Sequence, residues 1–224
     1  TAYEIYQCDW SSDVCSSDLT FGPFQENTYL LTDKTGECII VDPGCFTFAE
    51  QQELKSFIQN HQLKPVQLLN THCHLDHVAG NRFIYDEYQL LPVIHPLDLP
   101  VLEMQENSSR LYGLPCDKSP APKNFFKDKD RIKFGETELE VHFAPGHSPG
   151  HVVFFNSKTK ALIGGDLLFR GSIGRTDLPG GNHETLIHSI KNVLFPLGDD
   201  VIVNSGHGPE TTIGHERMTN PFLI

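Results

Sequence analysis

Apolar residues near the start of the regular part of the chain fall into two short runs that flank a turn. Residues 28–32 and 38–41 are rich in residues that favour strands, and the segment 33–36 between them reads Asp-Lys-Thr-Gly, which favours a turn. Two such runs on either side of a short turn are typical of an antiparallel hairpin. We therefore predict a hairpin that ends at Asp42-Pro43-Gly44.

The spacing of apolar residues then changes to a helical period. Thr47 and Glu50 have the spacing of a capping box, and apolar residues recur three and four positions apart to about residue 62. This pattern predicts a helix directly after the hairpin. The pattern further predicts a strand over 65–69, a helix over 78–88 and a helical segment over 97–112.

The second half of the chain repeats this alternation of strands and helices. Residues 137–143 alternate strictly between polar and apolar side chains, and Asn182 can cap a helix whose apolar residues share one face. The other predicted segments are a long surface loop over 113–129 and strands over 152–155, 161–163 and 201–203. Two sets of strands, each flanked by helices, predict a mixed α/β (α+β) fold in one domain, residues 1–224.

Residues 8–19 interrupt these patterns. They show neither a strand nor a helix period, they contain the single Trp of the chain, and they are rich in Ser and Asp, which predicts a loop. The segment also resembles a translated sequencing adapter. We therefore interpret it as a spurious insert and assign no function to it.

Charge and cysteine content narrow the class of protein. The 224 residues include 17 Lys and Arg against 29 Asp and Glu, a net charge of −12, which disfavours nucleic acid and anionic membrane surfaces as partners. No apolar run approaches the length that crosses a bilayer, and no signal segment opens the sequence. The six cysteines are irregularly spaced, as expected of reduced thiols. We expect a cytoplasmic protein that acts on a small molecule.

The strongest chemical signal is the segment 71–77, Thr-His-Cys-His-Leu-Asp-His, between a predicted strand and a predicted helix. Residues two apart in extended backbone point to the same side, so His72 and His74 can share one metal ion. Asp76 and His77 are redirected where the helix begins and can serve a second metal. A solvated polar turn is the simpler interpretation, but His and Asp seldom cluster this densely without a metal.

Three further candidate ligands stand at strand ends later in the chain. His147 lies in Pro-Gly-His-Ser-Pro-Gly, Asp166 follows Gly-Gly, and His207 lies in Gly-His-Gly. Glycine next to each residue allows close backbone approach at the edge of a sheet. Each residue alone is typical of an ordinary loop, whereas together with the segment 71–77 they complete two coordination shells.

This set of residues resembles the metallo-β-lactamase superfamily of hydrolases over residues 20–224. The resemblance implies a four-layer αβ/βα sandwich with two metal ions at one edge between the sheets. Asn27-Thr28-Tyr29, Asp42-Pro43-Gly44 and residues 171–177 look like the glyoxalase II (hydroxyacylglutathione hydrolase-like) branch, in its short bacterial type without the C-terminal helical domain. The implied ligands are His72, His74 and His147 for the first metal, and Asp76, His77 and His207 for the second, with Asp166 bridging both.

The implied activity is hydrolysis of a thioester such as an S-(2-hydroxyacyl)glutathione. Two divalent ions, the carboxylates of Asp76 and Asp166, and a bridging hydroxide leave a net positive charge, which favours deprotonated water at neutral pH. Asp76 and Asp166 are thus the predicted catalytic residues. Nitrogen and oxygen ligands do not choose sharply among metals, and we expect zinc, with iron or manganese as alternatives.

Four nearby residues have two interpretations each. Arg175 can bind a substrate carboxylate or pair with Asp177, and Asp42 can support a ligand His or simply form the turn before Pro43. His151 can donate a hydrogen bond to the metal shell or be a plain strand residue. Cys73, between two candidate ligand histidines, can be a nucleophile or a soft metal ligand, or its side chain can point away from them, as alternation predicts.

Two other functions remain open at this point. A relative in the same superfamily, the persulfide dioxygenase, resembles the chain in its Gly-Arg-Thr-Asp segment at 174–177 and uses a single iron. The filled positions for a second metal favour the hydrolase. A metal-binding scaffold without turnover is the third possibility, and it is disfavoured because no ligand position is missing.

Overall fold

The first sheet is formed by the N-terminal half of the chain. The computed structural model describes the backbone of residues 14–224 and the side chains from Asp18 onward. Strands β1, β2 and β3 pair antiparallel, whereas β3 to β6 pair parallel. In sheet order the six strands are β1 (Val14–Phe21), β2 (Glu26–Asp33), β3 (Glu37–Val41), β4 (Lys64–Leu69), β5 (Pro92–Ile94) and β6 (Asn124–Phe125).

The second sheet is formed by the C-terminal half. Its strands are β7 (Arg131–Phe134), β8 (Thr137–Phe143), β9 (Val152–Asn156), β10 (Ala161–Gly165), β13 (Ile202–Ser205) and β14 (Thr211–Thr212), in the order β14-β13-β10-β9-β8-β7. The pair β10 and β13 is parallel, and the other pairs are antiparallel. A small hairpin of β11 (Leu168–Phe169) and β12 (Ser172–Ile173) lies between β10 and the following helix.

Helices connect and cover the strands. They are α1 (Phe48–Asn60), α2 (Leu75–Val78), α3 (Asn81–Tyr88), α4 (Leu99–Glu103), α5 (Gln105–Tyr112), α6 (His183–Ser189) and α7 (Ile213–Thr219), with 3-10 turns at Pro96–Asp98 and Phe195–Leu197 and a π-helical segment at Ile190–Leu194. Across the described part of the chain, none of them has the length and apolar character needed to cross a bilayer.

Four layers follow from the alternation of side chains in the strands. In β2, Tyr29 and Leu31 pack between the two sheets, against residues such as Phe154 of β9, whereas Leu30 packs on the other face against Leu54 of α1. The outer face of the second sheet packs in the same way against α6, the π-helical segment and α7. The order helix, sheet, sheet, helix confirms the expected αβ/βα sandwich.

The predicted hairpin, capping box and sheet strands are confirmed at their core positions. The Thr47 side chain accepts a hydrogen bond from the backbone N–H of Glu50, and the Glu50 carboxylate accepts one from the backbone N–H of Thr47. The alternating segment 137–143 is β8, and Asn182 caps α6 by accepting from the backbone N–H of Thr185. These elements are stabilised by local contacts that the sequence itself encodes.

The loop predicted over 8–19 is wrong for its second part. Residues 14–19 belong to β1, which pairs antiparallel with β2 over its whole length, from Val14 opposite Asp33 to Phe21 opposite Glu26. An edge strand is held by backbone hydrogen bonds, which require no apolar period in the side chains. Residues 8–13 lie outside the described residues. The single domain over 1–224 and the spurious insert stay predictions.

Two predicted helices are interrupted in the structure. The segment 78–88 is divided between α2 and α3, because the backbone N–H of Gly80 donates to the carbonyl of Pro43 at 2.7 Å, where a Cβ would collide with that oxygen. The segment 97–112 consists of a 3-10 turn, α4 and α5. The predicted loop 113–129 contains the two-residue strand β6, which extends the first sheet beside β5.

Candidate metal centre

Four segments carry the predicted ligands to one edge where the two sheets meet. Strands β8 and β10 run in the same direction because both pair antiparallel with β9, and β13 is parallel to β10. The carboxyl ends of all three therefore point to the same edge, which places His147, Asp166 and His207 together. The loop after β4 carries residues 71–77 to this edge, where the carbonyl of Thr71 accepts a hydrogen bond from Val152.

His72, His74 and His147 form the first group of potential ligands. One ring nitrogen from each residue lies within 4.8 Å of the others, and His147 Nε2 lies 2.8 Å from His74 Nδ1 and 3.2 Å from His72 Nε2. His147 Nδ1 lies 2.7 Å from the carbonyl oxygen of Arg175, an acceptor, so Nδ1 carries the proton and Nε2 the lone pair.

The three imidazoles of this group are neutral. Burial, followed by repulsion from the neighbouring histidines, lowers the pKa of His72 well below its usual range and that of His74 to about 3. Burial also lowers the pKa of His147, against the attraction of Asp166. Neutral imidazoles whose nitrogen atoms converge in this way can each offer a lone pair to one cation, so the group fits a metal ion.

Asp76, His77 and His207 form the second group, again with atoms within 4.8 Å of one another. The His207 Nε2 to Asp76 Oδ2 distance is 3.2 Å, and His207 Nδ1 lies 3.0 Å from the carbonyl oxygen of Phe24. Burial disfavours a charge on His207, but hydrogen bonds to Asp166 and Asp76 outweigh it and raise its pKa to about 10. A divalent ion can replace the protons that this group otherwise holds.

Asp166 lies between the two groups. Its Oδ2 is 3.5 Å from His147 Nε2 and 3.4 Å from His207 Nε2, and its Oδ1 is 3.4 Å from His77 Nε2. Burial opposes ionisation, but the attraction of His77 and a hydrogen bond from His207 lower the pKa of Asp166 well below its usual range. The carboxylate therefore stays ionised and reaches ligands of both groups.

Two atoms of this centre are buried without a hydrogen-bond partner in the described structure, His77 Nε2 and Asp166 Oδ1. A buried polar atom without a partner is rare, and both atoms here face the space between the two groups. Gly206 keeps that space open, because a Cβ at this position would overlap the Asp166 carboxylate and approach His77 Cε1 to 2.8 Å. The orphaned atoms and the donor set fit divalent metal ions.

Asp42 supports this arrangement from behind. Its Oδ1 accepts from the backbone N–H of Thr71 at 2.8 Å, and its Oδ2 lies 2.5 Å from Thr71 Oγ1 and 3.1 Å from His77 Nδ1. The residue is buried and has a φ of 50°, in the left-handed region that few residues other than Gly adopt. Asp42 thus orients His77 with Nε2 toward Asp166, as the supporting interpretation predicted.

His151 and Cys73 have the environments of supporting and packing residues. His151 Nε2 accepts a hydrogen bond from the backbone N–H of Asp166 at 3.1 Å, so in this contact the residue is an acceptor and not the donor that one of its two interpretations gave. The Cys73 side chain packs with Val78 and Ile94 in an apolar cluster, and burial raises its pKa well above the usual range. Neither residue belongs to a ligand group among the described residues.

Two buried carboxyl groups beside the centre were missed by the sequence analysis. Asp98 Oδ2 accepts from the backbone N–H of Cys73, and Oδ1 accepts from Ser148 Oγ and the backbone N–H of Gly150, each at 2.6 Å. Glu26 is fully buried, with Oε1 3.9 Å from His77 Nδ1. Both stand in segments that read as an ordinary strand or helix, so no local pattern indicated them.

Arg175 lies at the rim of the centre and is paired. Its Nε and Nη2 donate to the two carboxylate oxygens of Asp177, each at 2.7 Å, and its backbone carbonyl is the acceptor for His147. The ion pair with Asp177 is therefore present, and the binding of a substrate carboxylate stays a prediction.

A cavity of about 600 Å³ opens onto the metal centre. It reaches His74, Asp76, His147, Asp166 and His207 at its base, and its volume is in the range of small-molecule sites. The predicted ligands thus converge where a small substrate can reach them.

Comparison with known proteins agrees with this geometry. The model of the metallo-beta-lactamase superfamily matches residues 21–207. Hydroxyacylglutathione hydrolase GloC of Haemophilus influenzae is 38% identical over 202 residues, which are 89% of this chain and 93% of the relative.

Two solved structures are also similar along nearly their whole length. The structure of TTHA1623 in a di-iron-bound form is 41% identical with a TM-score of 0.84, covering 92% of this chain and 99% of that one. The structure of BLEG-1 B3 metallo-beta-lactamase is 37% identical with a TM-score of 0.83, covering 93% and 99%. The chain described here belongs to the metallo-beta-lactamase superfamily and is a metallo-hydrolase of that superfamily.

Proposed function

We propose that the protein is a binuclear metal-dependent hydrolase of thioesters. The observation that carries the proposal is the position of Asp166, whose carboxylate reaches histidines of both ligand groups within 3.5 Å. His72, His74 and His147 would hold the first metal, and Asp76, His77 and His207 the second, with Asp166 shared between them.

The metal ions would supply two things when bound: polarisation of the thioester carbonyl and a lower pKa for water in the centre. The histidine and carboxylate donors do not select one metal. We propose zinc as the resident ion, with iron and manganese as alternatives, and the related TTHA1623 structure carries two irons.

The residues of the chain keep the centre in the protonation state that hydrolysis requires. Hydrogen bonds and the attraction of nearby histidines, against burial, lower the pKa of Asp76 and Asp166, so both carboxylates are ionised. The Cys73 thiol is held protonated by burial and is unsuited as a nucleophile. Water is therefore the nucleophile that the site favours.

The proposed substrate is a small thioester such as an S-(2-hydroxyacyl)glutathione. A related protein of this length is named hydroxyacylglutathione hydrolase, and the cavity admits a small molecule directly above Asp166. We also propose a cytoplasmic location and no nucleic-acid or membrane partner, in keeping with the net charge of −12 and the free thiols among the described side chains, Cys38, Cys45, Cys73 and Cys116.

The experiment that tests this proposal measures thiol release from S-lactoylglutathione by the zinc-loaded protein. We expect hydrolysis, and we expect Asp166→Ala to lower kcat/KM more than about 100-fold because both metal sites lose a ligand. Asp86→Ala is the matched control, since Asp86 is an exposed carboxylate that pairs only with Arg82 on α3.

Two outcomes contradict the proposal. One iron per chain with oxygen uptake on glutathione persulfide, and no thiol release from the thioester, would identify a dioxygenase instead. Bound metal without turnover on either substrate would identify a scaffold.

A further inference from the structure

The cavity above the metal centre has an apolar wall contributed by separate elements. Phe24 comes from the turn between β1 and β2, Met104 follows α4, Tyr112 ends α5, and Ile173 lies in β12. The rings of Phe24 and Tyr112 meet edge to face with centroids 5.3 Å apart. The wall therefore belongs to the same space as the metal ligands rather than to the core.

The two aromatic side chains of this wall, Phe24 and Tyr112, are partly exposed to solvent beside the metal centre. Phe24 is 38% exposed and Tyr112 is 45% exposed, although folding usually buries large apolar side chains. Large apolar side chains that stay exposed around a small-molecule cavity are typical of a surface that a ligand covers.

Outside the metal centre, few charged side chains line the cavity. Arg175 is the one Lys or Arg among the described residues that line it, and its Nε and Nη2 already donate to the carboxylate of Asp177. A glutathione thioester carries two carboxylates, and none of the described lining residues offers them an unpaired cation. Placing them in an apolar cavity without a partner is unfavourable.

We infer that the preferred substrate is an uncharged thioester with an apolar group next to the scissile bond. This inference rests on the proposed function and narrows its substrate class. The apolar group would contact Phe24, Tyr112 and Ile173 while the thioester carbonyl lies at the metal centre. Glutathione thioesters would then be hydrolysed less efficiently.

The test compares thioesters that differ in one group. Hexanoyl-N-acetylcysteamine should have a kcat/KM at least about tenfold above that of acetyl-N-acetylcysteamine, because the added methylene groups are buried. S-hexyl thioacetate carries the apolar group on the sulfur instead, and shows which side of the bond the wall accepts. S-lactoylglutathione serves as the reference substrate for thioester hydrolysis.

Variants connect the preference to the wall. Tyr112→Ala and Phe24→Ala should each reduce the hexanoyl-to-acetyl ratio severalfold, whereas Tyr112→Phe should keep it. Met218→Ala is the control, because Met218 is an exposed apolar residue of α7 that does not line the cavity. Both Ala variants alter exposed positions, so they are expected to fold.

The outcomes separate the inference from the proposed function. Hydrolysis of S-lactoylglutathione with no gain from a hexyl group on either side of the bond overturns the inference and leaves the thioesterase intact. Absence of hydrolysis with all four thioesters overturns both. If Tyr112→Ala and Phe24→Ala leave the preference for the hexyl-bearing thioester unchanged, on whichever side of the bond it occurs, the inference is also overturned.

Discussion

The Asp98 carboxylate joins the two loops that carry the first ligand group. It accepts from the backbone of Cys73, which lies between His72 and His74, and from Ser148, which follows His147. Burial raises the pKa of Asp98, and the hydrogen bonds from Ser148, Gly150 and Cys73 oppose that shift. The residue is a positioning residue, since it reaches the metal site only through the backbone of the ligands.

Replacing Asp98 should loosen the first metal site. We expect Asp98→Ala to weaken zinc affinity about 10- to 100-fold, as is common when a residue that supports a metal ligand is lost. Competition with a chromophoric chelator measures this affinity. Glu103→Ala removes an exposed carboxylate from α4, in the same part of the chain, and should leave the affinity unchanged. Equal affinities in the two variants would exclude the positioning role.

Freeing Arg175 should change how the cavity receives anionic substrates. The pair with Asp177 is exposed on both sides and is worth little to stability. We expect Asp177→Asn to raise kcat/KM for S-lactoylglutathione about two- to fivefold relative to acetyl-N-acetylcysteamine, because the guanidinium becomes available to a carboxylate. Asp200→Asn removes the same charge at an exposed position away from Arg175. The same gain in both variants would show a general charge effect.

At the residue scale, the sequence indicated the cluster of His and Asp residues and the support by Asp42, but not Asp98 and Glu26. The His and Asp residues in 71–77 are dense enough to indicate a metal site by themselves. The other three predicted ligands, His147, Asp166 and His207, each stand next to a glycine. Asp98 and Glu26 act through contacts with distant segments, which no local pattern encodes. Their buried carboxyl groups are recognised only in the folded chain.

At the element scale, α7 holds the β11–β12 hairpin beside the cavity. The buried carboxylate of Glu216 accepts from the backbone N–H of Gly171, from Thr211 Oγ1 and from Asn220 Nδ2, at 2.9, 2.5 and 2.8 Å. Asn220 in turn donates to the carbonyl of Ser172 at 2.9 Å. These contacts fix the hairpin that contributes Ile173 to the cavity.

Loss of the Glu216 carboxylate should destabilise the protein. We expect Glu216→Ala to lower the free energy of unfolding by about 3 kcal/mol, because three donors, two of them buried, lose their acceptor. Denaturant unfolding measures the change. Met218→Ala on the same helix should change the free energy by less than about 0.5 kcal/mol, since that side chain is 73% exposed. A similar small loss in Glu216→Ala would contradict the assigned role.

The elements that the sequence predicted correctly are those with a local signal. The capping box of α1 and the strict alternation of β8 are examples. The strand β1 was missed because its pairing with β2 is made by the backbone, and the break between α2 and α3 was missed because it depends on contact between Gly80 and Pro43. The strand β1 pairs with the next strand in the chain, whereas Gly80 and Pro43 are distant in sequence.

At the scale of the whole molecule, the metal centre joins the two halves of the sandwich. Backbone contacts already connect them there, since the N–H of Asn27 in β2 donates to the carbonyl of Gly206 at 2.8 Å. The proposed ligands come from the first sheet through residues 72–77 and from the second sheet through His147, Asp166 and His207. Metal binding should therefore stabilise the arrangement of both sheets.

Removal of the metals should lower the thermal stability of the whole protein. A ligand at about 100 times its Kd contributes about 2.7 kcal/mol, which for a chain of this size corresponds to about 5–10 °C in Tm. We expect a chelator to lower Tm by at least this amount in a single transition, and excess zinc to restore it. An unchanged Tm after verified loss of metal would show that the centre does not contribute to holding the sheets together.

The central claim is that thioester hydrolysis requires two metal ions held by seven residues. These residues are His72, His74, Asp76, His77, His147, Asp166 and His207. Its most direct test titrates zinc into the metal-free protein, with bound metal counted by native mass spectrometry and thiol release from S-lactoylglutathione measured in the same samples. We predict that the rate reaches its maximum at two ions per chain and that Asp166→Ala stays inactive at every ratio. A full rate at one ion per chain, or no thiol release at any ratio, would contradict the account.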